Sequence, residues 1–89
     1  MKVKHLNLTA GAVLTAEFSK KSSAFLIKNF TGGSIKVCLG KKMTENYIII
    51  PPDCFEIIEN KYVSAATEAF TGKVTVEASS EGVVEVRAV

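Results

Sequence analysis

The chain has 89 residues, enough for one domain, and a formal net charge of +2 with dispersed lysines, which argues against a nucleic-acid footprint. Two cysteines, one histidine, one aspartate and no tryptophan make no disulfide framework and leave too few soft ligands for a tetrahedral zinc site. A chain this short buries only about 60–65% of its unfolded surface, so its core is thin and support from further copies of itself is expected.

Residues 1–16 faintly imitate a signal peptide, with Lys2 and Lys4 ahead of an Ala- and Leu-containing stretch. Asn7, Thr9, Gly11 and Thr15 interrupt any continuous apolar run, and no segment approaches the length of a membrane span. A soluble protein made in the cytoplasm is expected. Leu6 and Leu8 share one face of a first strand, and Leu14, Ala16 and Phe18 share one face of a second. A hairpin turning at Ala10 and Gly11 would join them.

In residues 24–30, Lys28 marks the solvent face, so Phe25 and Ile27 point inward while Leu26 and Phe30 flank the lysine outside. Residues 34–39 alternate cleanly, with Ile35, Val37 and Leu39 opposite Ser34, Lys36 and Cys38. Tyr47, Ile48, Ile49 and Ile50 leave two large apolar side chains on each face in either parity. Such a run suits a central strand or a surface covered by another subunit, and Pro51-Pro52 stops it. Phe55 and Ile57 point opposite to Glu56 and are assigned inward.

The Ala-rich residues 64–70 read as a helical turn or an irregular crossover. Val74, Val76 and Ala78 then alternate with Thr75 and Glu77. Val84, Val86 and Ala88 alternate with Glu85 and Arg87, and Val83 shares the outer face. A hairpin across residues 79–82 would connect these last two strands.

Turn signals recur about every 8 to 12 residues, at Gly, Pro, Asn or Ser-Ser clusters, leaving no room for a long helix. The expected fold is all-β: a single small antiparallel β-sandwich over residues 1–89, jelly-roll-like or immunoglobulin-like, of about seven to nine short strands. Its core is Ile35, Val37, Phe55, Ile57, Val74, Val76, Val84 and Val86. The apolar side chains left on outer faces, Leu26, Phe30, Tyr47 and Ile49, form the expected oligomer interface.

Chemistry is sparse. His5 has no acid closer in sequence than Glu17, no Gly-x-Ser-x-Gly elbow is present, and Cys38 or Cys54 would act as a nucleophile only with His5 as its base. Glu56 with Glu59, or Glu77 with Glu85, would have to meet across strands to make a carboxylate pair. Thr31-Gly32-Gly33-Ser34 is a turn, without the Gly-Lys-Ser/Thr of a phosphate loop. No catalytic, metal or cofactor-binding residue is assigned, no cofactor is expected, and the two cysteines read as reduced thiols. Two other roles remain open. A carbohydrate- or cell-surface-binding module would want an aromatic platform, against which the absence of tryptophan counts. An OB-type binder of single-stranded nucleic acid would stack bases on Phe30 and Tyr47 in a basic groove, yet Arg87 is the one arginine.

Three segments carry a resemblance: Phe25-Leu26-Ile27-Lys28-Asn29, then Ile50-Pro51-Pro52-Asp53-Cys54-Phe55-Glu56-Ile57-Ile58, then Gly72-Lys73-Val74-Thr75-Val76. Together, over roughly residues 24–78, they resemble small β-sandwich virion proteins of tailed bacteriophages, the capsid-decoration, head-fibre-base and tail-associated modules. The resemblance implies a non-enzymatic block that forms homo-oligomers, often trimers, and docks on other virion proteins of a larger particle. It also implies a location in the virion or the host cytoplasm, with no membrane partner.

Overall fold

Alternation and turn chemistry produce eight strands and no helix in the described residues of the computed structural model, which are 2–19, 22–59 and 72–89. The strands are β1 (Lys2–Leu8), β2 (Val13–Glu17), β3 (Ala24–Thr31), β4 (Ile35–Leu39), β5 (Ile48–Ile50), β6 (Phe55–Glu59), β7 (Lys73–Ala78) and β8 (Gly82–Ala88). The expected turn or crossover at residues 64–70 lies outside the described residues.

The strands form two four-stranded antiparallel sheets, one in the order β1-β8-β3-β6 and the other β2-β7-β4-β5. The pairs β1–β8, β2–β7, β3–β6 and β4–β5 are nested, like one long hairpin folded at β4–β5. Rolling that hairpin adds β3–β8 and β4–β7, which closes it into a β-sandwich with jelly-roll strand order. Of the two expected designs, the jelly roll is the one formed.

This winding overturns both expected hairpins. β1 and β2 lie in different sheets, as do β7 and β8, so the turns at Ala10-Gly11 and at residues 79–81 cross between layers. Leu8 and Thr31 both register with Gly82, and Ile35 registers with both Ala78 and Ile50. Four of the inter-sheet turns, at residues 9–12, 32–34, 51–54 and 79–81, therefore gather at one pole. Backbone bonds lace them together: Gly11 N–H donates to the Ala78 carbonyl at 2.8 Å, Ala78 N–H to Ala12 at 3.0 Å, and Asp53 N–H to Asn29 at 2.9 Å.

Between the sheets lie Phe25, Ile27, Ile35, Val37, Ile50, Val74, Val76, Val84 and Val86, all essentially inaccessible to solvent. Six of the eight expected core residues are there. Phe55 and Ile57 are not: they are 62% and 59% exposed on the outer face of β6. Register explains the reversal, because Phe25 and Ile27 pair with Ile58 and Glu56, which puts those two, rather than Phe55 and Ile57, on the inward parity. The run at Ile48–Ile50 is likewise no central strand. β5 pairs with β4 alone among the described strands, and only Ile50 of the run is fully buried.

One buried polar residue organises the turn pole. Asn29, wholly inaccessible, donates through Nδ2 to the carbonyls of Gly33 (2.9 Å) and Ile50 (3.0 Å). Its Oδ1 accepts from the Thr31 N–H (2.9 Å) and the Thr31 hydroxyl (2.7 Å). The amide thus fills its donors and accepts twice, which offsets the cost of taking it out of water. Gly82, where β1, β3 and β8 meet, has φ +145°, and a Cβ there would stand 2.6 Å from Thr31 Cα.

Candidate interaction face

Cross-strand register arranges the outer face of the β1-β8-β3-β6 sheet in three rows, since directly paired residues share a side. The first runs Val3, Arg87, Leu26, Ile57; the second His5, Glu85, Lys28, Phe55; the third Asn7, Val83, Phe30. Apolar groups crowd the β3–β6 half, where Phe30 (56%), Phe55 and Ile57 are each more than half exposed. Polar groups crowd the β1–β8 half.

Glu85 is the hub of the polar half. Arg87 Nε donates to its Oε2 at 2.7 Å, His5 Nε2 donates to Oε1 at 3.2 Å, and Lys28 Nζ stands 3.9 Å from Oε2. The Arg87 hydrogen bond holds the Glu85 carboxyl below its ordinary range, against the opposing effect of partial burial, with smaller help from His5 and from the Arg87 and Lys28 charges. Counted by register, this face carries Lys28 and Arg87 against Glu85 and Glu59, a balance of zero with His5 neutral.

The outer face of the other sheet differs in kind. The segment after β4 folds back across it. Thr75 and Cys38, which point outward, are buried under that segment. The Thr75 hydroxyl donates to the Gly40 carbonyl at 2.8 Å, Thr15 Oγ1 to Lys41 at 3.3 Å, and Cys38 Sγ to Lys42 at 3.2 Å. Beyond this cover, Lys36 stands over the Tyr47 ring at 4.9 Å and meets Glu77 at 3.8 Å, beside an open depression that Ile49 also lines.

No known protein family, characterised protein or solved structure matches this chain.

The four side chains expected to share one interface are divided between opposite sides of the sandwich. Leu26 and Phe30 lie on the outer face of the β1-β8-β3-β6 sheet, whereas Tyr47 (38% exposed) and Ile49 (57% exposed) lie on the outer side of β5 in the other sheet. No single flat contact holds all four. Leu26 and Phe30 are joined instead by Phe55 and Ile57, which alternation with Glu56 points toward the core. Ile58, apolar at the opposite parity, is the sequence signal that either face of this strand can be the buried one.

The groups weighed for catalysis are also kept apart. His5 and Cys38 are on opposite outer faces, as are Glu85 and Glu77, each carboxylate paired with its own cation. Glu56 and Glu59 point to opposite sides of β6. Both cysteines are free thiols, Cys38 buried and Cys54 exposed.

Proposed function

We propose that this protein is a non-enzymatic structural or assembly subunit, which acts by protein–protein contact with copies of itself and with a larger particle. One observation carries the reading: Phe30, Phe55 and Ile57 stand together on one sheet face, each more than half exposed, the kind of apolar cluster that interaction surfaces present. The jelly-roll order supports it more weakly, since that architecture serves viral capsids but equally lectins and cupins. A virion component of phage or prophage origin is the setting the resemblance favours. The strands described make two four-stranded sheets rather than a five-stranded barrel, which counts against the OB-type alternative.

Light scattering on the purified full chain tests the self-association. A single oligomer at micromolar concentration is the expected result. A monomer throughout that range would rule the reading out.

A further inference from the structure

We infer that the chain closes as a two-fold dimer through the outer face of the β1-β8-β3-β6 sheet, each copy covering Phe30, Phe55 and Ile57 of the other. This rests on the self-association reading and specifies its surface, its symmetry and its occupant. Three observations lead to it.

First, the two sheets are treated unequally. The segment at residues 40–42 already covers part of the outer face of the β2-β7-β4-β5 sheet, holding Thr15, Cys38 and Thr75 by backbone carbonyls. Among the described residues, no hydrogen bond of this kind covers the rows that hold Leu26, Phe30, Phe55 and Ile57. That sheet leaves Phe30, Phe55 and Ile57 more than half exposed on its outer face.

Second, the charge pattern fits a second copy. A basic face would suit nucleic acid or an anionic membrane, and a face of one sign would suit a partner of the opposite sign. Here Glu85 already engages Arg87, His5 and Lys28 within one subunit, and the formal charges on the face cancel. Two such faces meet without net electrostatic repulsion, and the pairs made within each subunit need not be broken when the face is covered. Four strands about 4.8 Å apart, over about six residues of strand, give roughly 400 Å² in flat projection per copy. With the relief of standing side chains, two copies reach about 1,000 Å² in total, the lower bound for a specific interface. A dimer that forms at micromolar concentration, rather than a permanent one, is the consistent expectation.

Third, the division of the apolar residues constrains symmetry. Leu26 and Phe30 face one way, and Tyr47 and Ile49 the other, so a contact between these two sets would stack copies front to back without closing. The simplest closed assembly that covers Phe30, Phe55 and Ile57 uses this one face twice, about a two-fold axis in the contact plane.

Light scattering across about 1 to 200 µM, on the wild type and four single variants, tests this. Phe30→Lys, Phe55→Lys and Ile57→Lys should each weaken the dimer by at least about tenfold, while Ile49→Lys leaves it intact. These positions are more than half exposed, so the folds should survive; circular dichroism checks each, and any one folded variant of the three is enough to decide. If Ile49→Lys gives monomers and Phe55→Lys does not, the contact is on the other sheet: this inference fails and self-association stands. A wild-type trimer or open polymer likewise overturns the two-fold scheme alone. A wild-type monomer at all concentrations overturns both.

Discussion

Replacing Asn29 by Leu is the sharpest test of how the turn pole is held. The two side chains share heavy-atom count and branching, so the substitution keeps the shape while removing the hydrogen bonds, and crowding by the bulkier methyl groups of leucine can only add to the loss. Four bonds disappear: two donated by Nδ2 to Gly33 and Ile50, and two accepted by Oδ1 from Thr31. The Gly33 carbonyl and the Thr31 hydroxyl keep each other at 2.8 Å, so the damage falls on the Thr31 N–H and the Ile50 carbonyl. A buried polar group deprived of its partner costs about 1–3 kcal/mol, and two of them, less some gain from the apolar side chain, give a net loss of about 3 kcal/mol. A domain of 89 residues has about 4–13 kcal/mol in all, so the loss is a large fraction. Urea unfolding at one fixed protomer concentration reads it as a midpoint lowered by about 2–3 M with an unchanged slope. Ser79→Ala is the control: its hydroxyl makes one exposed bond to the Ser34 carbonyl, and its loss should cost less than about 1 kcal/mol. Should Asn29→Leu unfold within about 1 kcal/mol of wild type, the amide is not what organises this pole.

Two further outcomes follow from the geometry. Gly82→Ala forces a Cβ to 2.6 Å from Thr31 Cα at φ +145°, so β3 and β8 must part; a loss of about 3 kcal/mol and a melting temperature lower by roughly 12–24 °C are expected, and a change below about 3 °C would contradict the clash. Glu85, whose carboxyl is held below its ordinary value of 4.5, stabilises the fold at pH values above that figure and loses this contribution as pH falls through its lower folded value. Stability measured from about pH 6 downward should therefore decline less steeply in Glu85→Gln than in wild type, and identical acid limbs would show that the Arg87 bond does not bias the titration.

The strands are legible in the sequence because their chemistry is local. Ile35 and Val37, Val74 and Val76, and Val84 and Val86 alternate with polar neighbours, and each pair occupies the buried face that alternation implies. What alternation leaves open is which face is inside when both parities are apolar. In β6 the pair Phe55 and Ile57 outweighs Ile58 by count, yet the register with β3 turns Ile58 inward. Layer assignment is equally non-local: a tight turn such as Ala10-Gly11 serves a hairpin or a crossing between sheets, and only the pairing with β8 and β7 decides. Thr75 shows the same limit. As the polar member of a Val-Thr-Val alternation it reads as solvent-facing, but a segment 35 residues distant lies over it. The division of the expected interface set between two sides has the same cause, since β3 and β5 belong to different layers.

The nested winding also bears on synthesis. β8, the last strand in chain order, sits in the middle of its sheet, hydrogen-bonded to β1 on one side and β3 on the other. The lane between β1 and β3 is filled only by residues 82–88, so these two ladders cannot close until that strand has been made. Such long-range pairing is slow and leaves strand edges exposed to other chains meanwhile. The Lys2 and Lys4 side chains, set on the inward parity of β1, are the sort of guard that keeps a waiting strand from joining a stranger.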